Sequence, residues 1–408
     1  MNPIDIVVQL FGFLTFVSCG DAATRKPSVV YSNDGIDNRS NATINCPVIA
    51  DIPEFRQIYV YGLPIIIIIG TIGNTISLIV LCQRTMRQTG TYFYMAILAV
   101  ADTAVLYLNG LRKWIYFLTG FDLNQVSDAG CKTMSFVNYW TFDFATWILV
   151  AMTVDRFLAV HSPLRAIQLS TISRIKKVLL LLAVIDVGLN MHLFWTMELL
   201  VNPCGKYCIP RREFSNFHHR VWPIVDAVFY SFVPFLMLLV FNIIIVQDMF
   251  VAWRVRRNLY ANSNNDIDLQ NVATTNRRSN KQRNHITTSS WHLTLMLLVV
   301  TTIFLVLSAP NCIYMIVRMV TDVTTREQRR RVKITKAATT LLLYVNHCVN
   351  FYLYCASGRK FRQTLVSIYK YARERRRMSA TASVTQNTRV SFSSLTGRIS
   401  MVSEHSQT

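Results

Sequence analysis

Residues 131–165 read CKTMSFVNYWTFDFATWILVAMTVDRFLAVHSPLR. The run begins at a cysteine, crosses an apolar stretch rich in aromatics, and ends in Asp155-Arg156-Phe157 and a basic segment. Cys131 and Arg156 stand 25 positions apart, about 37 Å of helix at 1.5 Å per residue, which crosses a tilted bilayer. An oxidisable thiol then sits at one face of a membrane and an ion pair at the other.

The rest of the chain agrees with that reading. Of 408 residues, 52% are hydrophobic and only 16% charged, whereas ordinary soluble domains carry about 25% charged residues. A net charge of +20 on so apolar a chain is accounted for by lysines and arginines in cytoplasmic loops and implies no nucleic-acid partner. Seven apolar segments lie near 58–82, 91–114, 130–158, 175–200, 222–250, 291–318 and 334–356, each near the roughly 20 residues a crossing needs. The expected fold class is an all-α membrane protein, a seven-transmembrane helix bundle. Basic residues follow the first, third and fifth segments and fill the C-terminal region. They place these loops and the C-terminus in the cytosol and the N-terminus outside. The loop after the sixth segment breaks the pattern, with Arg318, Arg326, Arg329, Arg330, Arg331, Lys333 and Lys336 around it.

The domain reading follows from these spans. Residues 1–57 form an extracellular leader, in which 1–20 are either a signal peptide or an uncleaved tail brushing the membrane. Asn38 and Asn41 each begin a glycosylation triplet there. Residues 58–356 form the bundle, 357–371 an amphipathic eighth helix, and 372–408 a disordered cytoplasmic tail rich in Ser, Thr and basic residues. Cys46, Cys131, Cys204 and Cys208 fall on the outer side, where disulfides persist. Four cysteines allow three pairings. The expected set is Cys131–Cys208 with Cys46–Cys204 as a second bridge; the alternative leaves Cys204 or Cys208 unpaired. No metal-ligand spacing, phosphate loop or nucleophile motif supports an enzyme, and no repeat between the halves supports a transporter.

At this point the chain resembles the rhodopsin-like (class A) G-protein-coupled receptors over about residues 58–370. The motifs fall in order: Gly73-Asn74, Leu98-Ala99-Val100-Ala101-Asp102, Asp155-Arg156-Phe157, Pro234, Phe304 with Pro310, and Asn350-Phe351-Tyr352-Leu353-Tyr354. The resemblance implies a plasma-membrane receptor that binds an extracellular ligand and activates a heterotrimeric G protein. Receptor kinases and arrestin would act on the tail, and the basic eighth helix would meet membrane lipids. Asp155, Arg156, Phe157, Asn242, Asn350 and Tyr354 are the implied coupling switch. Asp102 is the costly buried carboxylate, with Asn74, Asn346 and Asn350 as expected partners; by resemblance this is a sodium pocket. The usual serine of the third span is Ala145 here, so a sodium ion and a metal-free polar network both remain open, with no other cofactor expected. Three further positions depart from the family: Leu307-Ser308-Ala309-Pro310 lacks the usual tryptophan, Asn242 replaces a tyrosine, and Phe351 replaces a proline.

The ligand reading rests on what is missing as well. Asn138 stands where amine receptors carry an aspartate, and residues 339–355 hold no lysine to bind retinal. The segments after Cys208 and around Asn350 resemble those of invertebrate neuropeptide receptors, including the FMRFamide-like group. That implies a peptide ligand, with a non-peptide small molecule as the alternative. Asn138, Tyr139, Phe142, Trp195, Glu198, Trp222, Asp226 and Tyr344 are the pocket candidates, aromatics for amidated or aromatic peptide ends and carboxylates for a peptide arginine. Asp143 and Asp186 lie deeper and are expected to bond neighbours.

Overall fold

The computed structural model describes residues 53–87, 89–162, 171–203, 205–263, 276–321 and 324–378. Asn38, Asn41, Cys46, Cys204, residues 1–52 and the tail after 378 lie outside the described residues, and the expected leader boundary at 57 falls inside a helix that begins at Pro53.

Long apolar runs without water as a partner must satisfy their own backbone, and helices do so within one segment. Helix α1 is Pro53–Leu81, α2 runs over Gly90–Thr119, α3 is Asp128–His161 and α4 is Ile172–Asn190. Helix α5 joins Trp222–Asp226, Ala227–Phe232 and Val233–Ser263 without a break, α6 is Asn276–Val320, and α7 is Arg326–Ser357. Among the described residues, six helices are long and apolar enough to cross a membrane. In α7 the apolar stretch is interrupted by Asn346, His347 and Asn350, which turn out to serve the interior. Isoleucines 65, 68, 69, 72 and 79 of α1 stay exposed, as do Leu180, Leu181 and Val184 of α4. An outward-facing aliphatic surface of this kind suits hydrocarbon rather than water as solvent.

Helix α3 is the central strut, packing against α2, α4, α5 and α6, while α1 lies against α2 and α7. The close approach of α1 depends on Gly70, where a Cβ would come within 2.4 Å of Leu106 and 2.8 Å of Cys348. Local signals set the helix ends. Ser127 caps α3 by accepting from the Gly130 N–H at 3.0 Å. Thr325 and Gln328 form a capping box at the start of α7. Gly120, at φ +78°, ends α2 in the left-handed conformation that glycine adopts without strain.

Several boundaries differ from the sequence reading. The fourth span was expected to reach residue 200, but the chain leaves the helix after Thr196 and forms strand β1 (Met197–Asn202) against β2 (Gly205–Pro210). The hairpin pairs antiparallel, with Leu199 opposite Cys208. Helix α7 begins at Arg326, so most of the basic residues assigned to the loop after the sixth span occupy the first turns of a helix. Arg330 there pairs with Glu54 at 2.5 Å and Arg331 with Glu327 at 3.0 Å. After Gly358 a helix over 359–378, α8, runs past the expected boundary at 371. Phe361 anchors it, its ring 5.6 Å from that of Tyr354, and Arg362 donates to the last carbonyls of α7, Cys355 O and Ala356 O.

Candidate functional site

Three groups of polar residues lie along the axis of the bundle. The middle one surrounds Asp102, which is 1% exposed on α2. Its Oδ2 accepts from Asn350 Nδ2 at 2.7 Å, and its Oδ1 accepts from His347 Nδ1 at 2.8 Å. With Asp102 ionised, the proton of that second bond resides on the imidazole. The expected partners Asn74 and Asn346 are turned elsewhere. Asn74 donates to the His347 carbonyl at 3.0 Å, and Asn346 donates to Ser308 Oγ at 3.0 Å. Ser308 stands where the family places its tryptophan, so the absent indole leaves an acceptor for Asn346. His347 was missed in the sequence because a lone histidine in an apolar helix carries no signal by itself; its spacing to Asn350 on the same helix face was the available clue.

This arrangement does not fit a sodium ion. A hard cation needs several convergent oxygens, yet both carboxylate oxygens of Asp102 face N–H donors, and Ala145 supplies no oxygen from α3. Among the described residues no group of three or more His, Cys, Asp or Glu could hold a metal.

The second group lies at the α3 end opposite the hairpin. Arg156 Nη2 donates to Asp155 Oδ2 at 2.7 Å, and both side chains are under a tenth exposed. Thr91 of α2 also donates to that oxygen, at 3.3 Å. Phe157 packs its ring against His161 and Phe241 of α5, 5.1 Å from each. Asn242 accepts from Thr301 Oγ1 at 2.9 Å, joining α5 to α6. Tyr354 is buried between α7 and α8. Helix α7 continues unbroken through Phe351, the position where a proline would kink it.

The third group lines a cavity of about 680 Å³ at the hairpin end. A disulfide joins Cys131 to Cys208, with their Cα atoms 5.4 Å apart. It ties the hairpin to α3, so that Met197, Cys208 and Pro210 form part of the cavity wall. Of the eight candidates, Asn138, Tyr139, Trp222 and Asp226 line it. Tyr139 and Trp222 meet edge to face at 5.5 Å, a preferred aromatic geometry. Phe142 packs against Tyr230, Tyr344 and His347, and Tyr344 is buried among the helices; neither is part of the lining. Trp195 projects outward at 47% exposure, and Glu198 lies on the hairpin 4.0 Å from Arg211. Asp143 accepts from Asn190 at 2.9 Å as expected of a buried carboxylate, whereas Asp186 Oδ2 meets no donor among the described residues.

The opposite wall holds residues the sequence reading passed over. Arg112 and Lys113 of α2 and Lys336 of α7 line the same cavity. Arg112 pairs with Asp122 at 2.8 Å. Arg112 and Lys113 follow a π-helical turn, Val105–Leu111, which offsets the outer third of α2 from the register of a regular helix. The signal available in the sequence was an adjacent Arg-Lys pair within the expected second span.

Comparison with known proteins bears on the whole arrangement. The sequence profile of the 7 transmembrane receptor (rhodopsin family) matches residues 73–354. The thyrotropin-releasing hormone receptor of Ovis aries is 25% identical over 328 residues, covering 76% of this chain and 77% of that receptor. G-protein coupled receptor 183 of Bos taurus is 29% identical over 184 residues, 43% of this chain and 49% of that protein. A probable G-protein coupled receptor of Caenorhabditis elegans, B0563.6, is 23% identical over 320 residues, 76% of this chain and 68% of its own length. The matched region spans the polar core, the Asp155-Arg156 pair and the cavity, and the helices carrying them run in the order the profile requires: the chain belongs to the rhodopsin family of seven-transmembrane receptors, which are multi-pass membrane proteins and not enzymes.

Proposed function

We propose that this receptor binds an extracellular peptide in the cavity at the hairpin end and passes the binding energy to a heterotrimeric G protein at the Arg156 end. The observation that carries this reading is the 680 Å³ cavity, with aromatic Tyr139 and Trp222 and polar Asn138 and Asp226 in its wall. Pockets of that size with a few placed polar groups suit ligands of several residues or a compact molecule. Asn138 offers an amide rather than the carboxylate that would pair with an amine. The similarity to receptors for thyrotropin-releasing hormone supports a hormone-like messenger, and the resemblance to FMRFamide-like receptors supports an amidated neuropeptide.

In this reading the hairpin end faces outward in the plasma membrane and α8 lies on the cytosolic surface, meeting lipid with its basic residues. Receptor kinases and arrestin would act on the C-terminal region beyond it. The ligand acts by population shift, binding better to the form in which Arg156 is released from Asp155. No chemical step is involved. The core around Asp102 works as a metal-free polar latch between α2 and α7, with His347 in place of an ion.

The test is a library of amidated neuropeptides applied to cells expressing the chain, with calcium and cAMP as readouts. Responses to peptides at nanomolar to micromolar concentration support the proposal. Responses confined to amines or other small non-peptide messengers contradict the peptide assignment while leaving the receptor family intact.

A further inference from the structure

We propose that the cavity contains an anion-binding subsite, formed by Lys113 of α2 and Lys336 of α7, that takes a carboxylate of the ligand. The inference rests on the receptor reading above and specifies the chemistry of the ligand.

The cavity carries its charge unevenly. Arg112, Lys113 and Lys336 stand on the wall built by α2 and α7. Asp226 lines the same cavity from α5, a helix that packs mainly against α3 and α6. Of the three cations, only Arg112 has a carboxylate within ion-pair distance: Asp122 Oδ1 accepts from Arg112 at 2.8 Å and from the Asn124 N–H at 3.1 Å. None of the ion pairs among the described residues involves Lys113 or Lys336. On α7, Arg330 and Arg331 have glutamate partners; among the described residues Arg326, Arg329 and Lys333 share with Lys336 the lack of an ion pair, but only Lys336 lines the cavity.

Lys113 is half-buried, with its ammonium 5.3 Å from the ring centroid of Tyr59 and 5.8 Å from that of Tyr344. Aromatic faces offset part of the cost of withdrawing an ammonium from water, but less than a carboxylate does. Two lysines on adjacent helices, facing one cavity with no described carboxylate within ion-pair distance of either, therefore form a pre-set site for an anion. Ammoniums act as point charges with rotatable donors, so the subsite accepts a carboxylate without demanding a single orientation.

The placement also connects recognition to the core. Lys336 and His347 are eleven positions apart on α7, about three helical turns. A carboxylate drawn between Lys113 and Lys336 bridges the outer ends of α2 and α7, the two helices that Asp102, His347 and Asn350 join further in. Binding and latch thus act on the same pair of helices.

The experiment uses full-length receptor on cells and a panel of synthetic peptides of four to eight residues. Each sequence is made with Asp or Glu and with Asn or Gln at the same position, and each with a free and an amidated C-terminus. The acid-bearing member is expected to be more potent than its neutral isostere by on the order of 30-fold, as for a lost partner in a desolvated charge pair. The two arms tell a side-chain carboxylate from a terminal one. Lys113→Gln and Lys336→Gln should each erase most of that discrimination at normal surface expression, and Lys336→Glu should favour basic peptides. A receptor that responds equally to acid and isostere overturns the anion subsite and leaves the peptide reading standing.

If no peptide activates the chain, the peptide reading falls, and the subsite is decided without ligand. Purified full-length Lys113→Met should unfold at a higher temperature than the unsubstituted receptor, because an uncompensated ammonium has been removed. A lower temperature would mean that Lys113 is a structural contact of Tyr59 and Tyr344, and would overturn the inference.

Discussion

Around Asp102, each oxygen of one buried carboxyl group meets a nitrogen of α7, so the group finds its hydrogen-bond partners within the bundle. In the cavity nearer the hairpin, Lys113, Lys336 and Asp226 share one space without an ion pair among them. Both regions lie within the same bundle, where unpaired charge is costly. The difference separates a finished internal contact, which holds helices in one arrangement, from an unfinished one that a ligand completes. Asp155 and Arg156 belong to the first kind, a buried pair that Thr91 also supports.

The contrast is broken most severely at its finished side. His347→Ala leaves Asp102 with a single hydrogen-bond partner, and stranding a buried carboxyl oxygen costs about 3 kcal/mol. The expected result is a fall of roughly 10 °C in the unfolding midpoint of detergent-purified receptor; an unchanged midpoint would show that the imidazole is not a partner of consequence. Cys131→Ser releases the hairpin from α3, with an expected cost of about 2–4 kcal/mol. Ligand potency should fall with it, since the hairpin forms one wall of the cavity, and a reducing agent should reproduce the effect on the unsubstituted receptor.

Opening the second finished pair sharpens the comparison without large losses of stability. Asp155→Asn weakens a charged hydrogen bond worth about 1.5–3 kcal/mol, so signalling without ligand should rise several-fold. Arg156→Ala should remove coupling and spare ligand binding; coupling that survived intact would remove the role given to this arginine. The smallest expected effect is none. Replacing sodium by choline in the assay medium should leave agonist affinity unchanged, whereas a clear sodium-dependent decrease would show that the core admits an ion after all.

The order of the helices and the Cys131–Cys208 staple were legible in the sequence because they depend on local quantities: apolar length, cysteine placement and a few spaced motifs. Asn138 and Tyr139 were legible as cavity residues for the same reason, lying at predictable depths on a regular helix, and Trp222 and Asp226 line the cavity although π-helical turns flank them. His347 was not, because no motif marks it, whereas Asn350, as distant from Asp102 in sequence, belongs to a spaced motif. Lys113 escaped because the π-helical turn at Val105–Leu111 breaks the register from which its facing would be read. Met197–Val201 reads as the end of an apolar span, and its pairing with Lys206–Pro210 and the Cys131–Cys208 bond turn it into a strand instead. In α7 the run of arginines suggested a loop, and the Thr325–Gln328 cap shows why it is a helix start.

Asp102 in the core has its hydrogen-bond partners within the bundle, whereas Lys113 and Lys336 in the cavity have no described carboxylate within ion-pair distance. The most direct measurement is the ligand-free thermal unfolding of two purified variants, His347→Ala and Lys113→Met, beside the unsubstituted receptor. The account predicts opposite signs: a marked fall for His347→Ala and a small rise, of about 1 kcal/mol or a few degrees, for Lys113→Met. A fall of similar size in both would show that the two regions are compensated alike, and would contradict the account.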